Sequence, residues 1–254
     1  MDDEFEHPTQ LHWDDVVDVI CAGVGPGVLA QAVLWSDLGL SVELADALAP
    51  CGVADPDTAA YLVAMTEDLG PLECRPVDLE LPLLRAQPVA PRADRRARIE
   101  PFVGSRVRDW SARCAVSPFG VVYSAVPEAG VEALRSDSGE TVRAAVLSDY
   151  RPDAERAGAA LSGWLAEQAR ERDLGGHGMA LQRLVFEDGR VAGAAIDTGS
   201  GNRLVRALHG VALSTGAVPA EWPAQPELRD TIARVAVVGR AGSRFGRVEL
   251  IADA

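Results

Sequence analysis

A strand, a glycine-rich turn, a helix and a second strand follow one another near the start of this chain. This succession constrains the fold more than any other feature. Residues 16–22 form a short, β-branched run typical of a buried parallel strand. The glycines of residues 23–27 follow directly, and residues 28–38 have helical spacing up to Gly39, a typical helix stop. With a second strand at residues 41–45, the pattern predicts one complete βαβ unit.

The glycine turn also predicts a ligand. A turn between a strand and a helix directs backbone N–H groups at a phosphate, and the helix dipole adds roughly half a positive charge. Gly23 would allow the tight turn, and Gly25 would let a pyrophosphate approach the backbone. Asp46, at the end of the second strand, is placed to hydrogen-bond an adenosine ribose and to repel a 2′-phosphate. The pattern therefore favours FAD, or another ADP-containing ligand, over NADP.

One position departs from the dinucleotide-binding fingerprint. The third glycine, which lets the helix pack closely on the sheet, is expected at position 28, where this chain has Val28. Gly27, one position earlier, could compensate in part. The departure leaves open an alternative in which the turn serves packing only and no nucleotide binds.

Composition excludes several classes of function. The 254 residues carry a formal net charge of -14, so binding to polyanionic nucleic acid is disfavoured. No signal peptide or uninterrupted apolar span is evident, which predicts a cytoplasmic protein without a membrane span. No metal site is predicted, because the cysteines and histidines lack ligand spacing; they are Cys21, Cys51, Cys74, Cys114, His7, His12, His177 and His209.

The rest of the chain completes the predicted architecture. Residues 1–13 are polar and are predicted to be a mobile lead-in, and residues 71–150 an irregular inserted segment. An amphipathic helix is predicted at 153–172, a hairpin at 179–197 around an Asp-Gly turn, and a buried strand at 210–216.

Together these elements predict an α/β fold. We expect a Rossmann-like FAD/NAD(P)-binding domain, with a parallel sheet covered by helices on both faces and an added antiparallel β-hairpin. Residues 1–254 are predicted to form this single domain.

Three segments resemble one known family. Residues 18–27 (DVICAGVGPG), the hairpin at 179–194 and the strand end at 211–216 (VALSTG) are similar to FAD-dependent oxidoreductases of the fumarate reductase/succinate dehydrogenase flavoprotein class, which includes 3-ketosteroid dehydrogenases. The resemblance implies FAD as cofactor. The cofactor-binding residues it implies are Gly23, Val24, Gly25, Pro26, Gly27, Asp46, Leu181, Thr215 and Gly216.

Other parts of that family have no counterpart here. Only a short stretch follows Asp46 before the next helix, where the family has a long segment around the flavin. The C-terminal glycine motif and the substrate domain are also missing. The family's catalytic residues lie in those parts, so the catalytic residues stay unknown. Three tyrosines could serve as proton donors: Tyr61, Tyr123 and Tyr150. Tyr61, at helical spacing, and Tyr123, in an apparent strand, are better explained as packed or surface residues.

The sequence therefore predicts a shortened FAD-binding-family protein that keeps the adenine-nucleotide half of the site. Our first interpretation is a binding or interaction module, a pseudoenzyme that is not catalytic alone. The alternative is an FAD-dependent oxidoreductase of a steroid or dicarboxylate-like substrate, whose pocket is completed by a protein partner or a second subunit. An NAD-dependent dehydrogenase is a third interpretation, without recognisable catalytic residues.

Overall fold

The computed structural model describes residues 11–45, 47–48, 55–89, 104–125, 130–175 and 178–253. These residues form twelve strands, four α-helices and three short 3-10 helices. The strands are β1 (Asp15–Ala22), β2 (Val42–Ala45), β3 (Ala47–Leu48), β4 (Leu83–Pro88), β5 (Gly120–Tyr123), β6 (Glu132–Ser136), β7 (Thr141–Tyr150), β8 (Ala180–Glu187), β9 (Arg190–Asp197), β10 (Asn202–Ser214), β11 (Ala233–Gly239) and β12 (Phe245–Ala252). The α-helices are α1 (Pro26–Asp37), α2 (Pro56–Thr66), α3 (Gly104–Val116) and α4 (Ala157–Glu171), and the 3-10 helices are Glu67–Leu69, Pro76–Leu79 and Pro226–Leu228.

Five of the strands close into a barrel. Strand β11 pairs with β7 and β12, β12 pairs with β4, β4 with β6, and β6 with β7. Within this ring only the β4–β12 pair is parallel. Successive residues of β11 pack into different clusters: Val235 and Val237 with residues of α1 and α4, and Ala236 and Val238 with residues of other barrel strands. The barrel wall is thus buried on both faces.

The other strands extend from the barrel through β5, which pairs with β12 and with β10. Strand β10 also pairs with β1 in parallel and with β9 in antiparallel orientation. The β8–β9 hairpin turns at Asp188 and Gly189, both with positive φ, as a two-residue Asp-Gly turn requires. Beyond β1 lies β2, and β3 pairs with β8, both in parallel.

Helix α1 lies at the centre of the molecule. Nine of its twelve residues are buried, because it packs against α4 and against strands of both groups. A helix covered on all sides has no polar stripe. A Cβ on Gly27 would lie 2.5 Å from the carbonyl oxygen of Gly120, so this glycine lets α1 approach β5. Val28 is fully buried in the core. The close packing expected at position 28 is therefore made one residue earlier.

The predicted Rossmann-like α/β fold, with a parallel sheet and helices on both faces, is wrong. The βαβ unit is present, with β1 and β2 parallel on either side of α1. In the described part of the chain, however, most strand pairs are antiparallel, only four α-helices occur, and the barrel closes on itself. The sequence misled because a strand buried on both faces has the same apolar pattern in a helix-covered barrel as in a parallel sheet.

Other predicted elements can be compared directly with the structure. The helix predicted at 153–172 and the hairpin at 179–197 are present as α4 and as β8 with β9. The described residues of the segment 71–150 contribute β4, α3, β5, β6 and β7. Residues 1–10 of the predicted lead-in lie outside the described residues. Among the helices that the structure describes, none is long and apolar enough to span a membrane.

Candidate functional site

The glycine turn lies between the ends of three strands. The Gly23 N–H donates a hydrogen bond to the Ala45 carbonyl oxygen at 3.0 Å, which ties the turn to β2. Gly23 has a φ of 121°, and a Cβ there would lie 2.7 Å from the Cβ of Ser214 on β10. Both the backbone conformation and the close contact therefore require glycine at this position.

The turn leads into an uncapped helix N-terminus. Gly25 is the N-cap of α1, no side chain of the described residues caps the helix, and its first turn carries no acidic residue. The N–H groups of a first helical turn have no intrahelical acceptor, and the dipole makes this end positive. A Cβ on Gly25 would lie 2.9 Å from the Pro118 carbonyl oxygen, so this glycine is also needed for packing. The N-terminus is thus held rigidly by close backbone packing beside β5 and β10.

A cavity of about 360 Å³ opens beside this turn, within the size range of small-molecule sites. The turn contributes one wall, α4 contributes another, and aliphatic side chains complete it. Its lining residues are Gly23, Val24, Gly25, Leu29, Leu44, Ser162, Ala166, Ala169, Arg170, Leu174 and Val218. The cavity therefore combines apolar walls with backbone N–H groups and two polar side chains, an arrangement typical of ligand sites.

Arg170 adds a positive charge to this cavity. Its side chain is exposed and, within the described parts of the chain, makes no ion pair or hydrogen bond. It therefore adds to the positive end of α1 without being neutralised. A guanidinium and a free helix N-terminus in one cavity favour a phosphate-bearing ligand.

The structure places only some of the predicted site residues at this cavity. Gly23, Val24 and Gly25 line the cavity, whereas Pro26 and Gly27 form the first turn of α1 and are buried. The other described positions are packed elsewhere. Leu181 is fully buried in the core, Thr215 donates from Oγ1 to the Cys114 carbonyl oxygen at 2.6 Å, and a Cβ on Gly216 would lie 2.3 Å from the Ser117 carbonyl oxygen. Asp46 lies outside the described residues.

The contribution of α4 was missed at the sequence level. The apolar face of this helix is marked by its large residues, whereas its neighbouring face contributes Ser162, Ala166 and Arg170 to the cavity. These three are spaced by four residues and so lie on one side of the helix. Two small residues followed by an arginine at this interval are the signal that could have revealed the wall.

None of the three tyrosines lines this cavity. Tyr61 packs edge-on against Phe186, with ring centroids 5.5 Å apart, and Tyr150 packs against Trp164 at 5.2 Å. Burial raises the pKa of Tyr150 to about 12. Burial also raises the pKa of Tyr123 well above its ordinary value. These phenols are packed side chains with no part in the glycine-turn cavity.

No known protein family and no curated protein matches this sequence. Among solved structures, the chain is similar to 3-ketosteroid-Δ4-(5α)-dehydrogenase from Rhodococcus jostii RHA1 in complex with 4-androstene-3,17-dione, with 19% identity and a TM-score of 0.34. The match covers 81% of this chain and 47% of that one, so the chain spans about half the length of that structure. At this level the likeness assigns neither a fold nor a function, and membership of the flavoprotein class is not shown.

Proposed function

We propose that this protein binds FAD through its ADP portion, in the cavity beside the glycine turn, and that it acts as a binding module. The observation that carries the proposal is the meeting of the uncapped α1 N-terminus with the unpaired Arg170 in one cavity of the described chain. A diphosphate is an anion that both groups can bind. The opposing packing-only alternative explains the glycines, but it does not explain an arginine without a carboxylate beside them.

The remaining lining suits the adenosine part of such a ligand. Leu29, Leu44, Leu174 and Val218 provide aliphatic surface against which an adenine can pack. Asp46 follows β2, whose last residue accepts a hydrogen bond from the Gly23 N–H. We propose that its carboxylate binds the ribose hydroxyls and disfavours NADP.

The cavity supports binding more directly than catalysis. FAD, when bound, supplies hydride and electron transfer through its isoalloxazine ring. Among the described lining residues, no Asp, Glu, His, Cys or Tyr side chain is present to move a proton beside it. A binding role is therefore the function that this lining supports best.

One observation favours a second candidate function, an oxidoreductase whose pocket a partner or second subunit completes. Val24 and Val218 line the cavity and have exposed fractions of 55% and 41%. Apolar side chains at the rim of a site are often covered by another protein surface. Such a cover could supply the missing proton donor.

Calorimetric titration with ADP, FAD, NAD and NADP tests the proposal. We expect ADP and FAD to bind and NADP to bind more weakly. Arg170→Gln should weaken ADP binding about tenfold, the usual scale for one charged hydrogen bond. The matched control is Arg151→Gln, an exposed arginine outside the cavity. The proposal would be contradicted if the two substitutions weakened ADP binding equally, or if NADP bound more tightly than ADP and FAD.

A second pair of variants tests the place of the anion. Val24→Asp adds a carboxylate at the cavity rim and should abolish most ADP binding. Val63→Asp adds the same charge on α2, at a residue with an exposed fraction of 65%, and should leave binding unchanged.

Anaerobic reduction of the FAD-loaded protein, followed by dye-linked assays with 3-ketosteroids and dicarboxylates, separates the two candidate functions. Turnover by the purified chain would overturn the binding-only role.

A further inference from the structure

A second cavity lies between α1 and the barrel. It has a volume of about 50 Å³, several times the roughly 10–15 Å³ that one water needs. Gln31 comes from α1, Tyr123 from β5, and Arg143 and Val237 from the barrel wall. This cavity shares no lining residue with the glycine-turn cavity. It is therefore a separate site, and a ligand bound in it is independent of the proposed function.

Two residues that line this cavity each carry a buried hydrogen-bond donor without a partner among the described residues. Gln31 is 1% exposed, its Oε1 accepts a hydrogen bond from the Tyr123 hydroxyl at 2.6 Å, and its Nε2 is unpaired. The Nε of Arg240 is also buried and unpaired, although its Nη2 donates to Glu140 at 2.7 Å. A buried donor left unpaired is destabilising. Two such donors on the lining residues of one cavity favour an acceptor there.

The charges around the cavity indicate the sign of that acceptor. Arg143 and Arg240 both line it, and Glu140 neutralises Arg240. The Arg143 side chain has no ion pair or hydrogen bond within the described ranges of the chain. The Ser243 hydroxyl is already bonded to Ser111 at 2.8 Å. The cavity thus has unused donors, one uncompensated positive charge and no unused carboxylate in its described lining.

The rest of the lining is aliphatic or aromatic, including Leu34, Val131, Ala145 and Phe245. Such walls suit a short hydrocarbon chain, and the volume excludes a nucleotide. We propose that this cavity binds a small organic monocarboxylate with a short alkyl chain. Its carboxylate accepts from Gln31 Nε2 and Arg240 Nε, and Arg143 balances its charge. A phosphate dianion would leave one negative charge uncompensated and should bind more weakly.

Titration of the full chain with acetate, propionate and butyrate, followed by calorimetry and by NMR of the glutamine side-chain amides, tests the proposal. We expect saturable binding of propionate, with a shift of the Gln31 NH₂ signals, which are identified by their loss in Gln31→Leu. Propionamide has the same shape without the charge and should bind at least about tenfold more weakly. Inorganic phosphate should also bind more weakly.

Two variants make the test independent of that assignment. Arg143→Gln should weaken propionate binding about tenfold, and Arg151→Gln, the residue directly after the same strand, should leave it unchanged. Unfolding curves confirm that each variant is folded. The proposal is wrong if propionate and propionamide bind equally, if the two arginine variants behave alike, or if no carboxylate saturates the site.

Discussion

At the scale of single residues, Gly27 and Val28 divide a task that the dinucleotide-binding fingerprint gives to one position. Gly27 faces the backbone of β5, where there is no room for a side chain. Val28 faces the core and is fully buried there. The departure at position 28 therefore does not hold α1 away from the sheet.

Substitutions at these two positions should show this division. Gly27→Ala should lower the free energy of unfolding by about 1–3 kcal/mol or more, because its Cβ would overlap backbone atoms. Val28→Gly should lower it by about 3 kcal/mol, from a core cavity and a poorer helix former, and should not tighten ADP binding. Gly163→Ala in α4, where a Cβ meets open space, is the matched control and should be neutral or stabilising. Urea unfolding and calorimetry measure these effects.

Two buried thiols should make the fold sensitive to alkali. Burial raises the pKa of the Cys114 thiol to about 12 and raises that of Cys21 as well. An unfolded thiol titrates near about 8.5. Between these values the folded chain holds a proton that the unfolded chain has lost. Stability is therefore complete below about pH 8.5 and falls as the pH rises toward 12.

The contribution of one thiol can be isolated by substitution. In Cys114→Ala, the loss of unfolding free energy between about pH 8 and pH 10 should be smaller than in the wild type by about 1–2 kcal/mol. Cys74→Ala removes an exposed thiol and should reproduce the wild-type pH dependence. Identical curves for all three proteins would show that the Cys114 thiol does not set this sensitivity.

At the scale of elements, the pairing of α1 with α4 holds the two walls of the glycine-turn cavity together. The ends of these helices are joined by Arg172, whose Nε and Nη2 lie 2.7 Å and 3.1 Å from the Asp37 carboxylate oxygens. A two-point ion pair fixes orientation as well as distance. Arg170, two residues earlier on α4, lines the glycine-turn cavity, so this ion pair helps to fix the helix that carries it against α1.

Loss of this ion pair should affect binding as well as stability. Arg172→Gln should lower the unfolding free energy by about 0.5–1 kcal/mol, since both side chains are partly exposed. It should weaken ADP binding about threefold, because the last turn of α4 is less firmly held. Arg229→Gln breaks the pair with Glu155, in which both side chains are mostly exposed, and should change neither. Denaturation and calorimetry on the two variants make the comparison.

At the scale of the whole molecule, a charged cluster is buried where α3 meets the barrel. Arg247 and Glu249 lie two residues apart on β12 and form an ion pair at 2.6 Å, with side chains 14% and 4% exposed. Trp110 of α3 has the guanidinium groups of Arg247 and Arg240 within 4.9 Å and 5.1 Å of its ring centroid. The Trp110 Nε1 donates to the Phe245 carbonyl oxygen. These contacts fix α3 on the barrel.

Removing only the charge of Arg247 should lower the unfolding free energy more than removing the charges of Arg247 and Glu249 together. Arg247→Met leaves the Glu249 carboxylate buried without its partner and should cost about 3–5 kcal/mol. The double variant Arg247→Met with Glu249→Leu should recover most of that loss, because no unpaired charge remains. Chemical denaturation of the two variants tests this; a double variant no more stable than Arg247→Met would contradict the prediction.

The parts of the fold that sequence predicted are those whose signals are local. The βαβ unit and the β8–β9 hairpin depend on glycines and strand runs within a few tens of residues, and Gly23, Gly39 and Gly189 all have the positive φ that their turns require. The barrel has no such signal. Its closure depends on pairs such as Leu83 with Leu250, and nothing in either apolar run specifies its partner.

The central position of β12 has a consequence for biosynthesis. It is the last strand of the described chain, and it pairs with β4, β5 and β11. Until it emerges, the early strands present unpaired edges, which are templates for aggregation. Pairing of distant segments is also slow to form. We therefore expect the βαβ unit to assemble before the barrel, which stays incomplete until β12 has been synthesised, so that chaperones matter most for the nascent barrel.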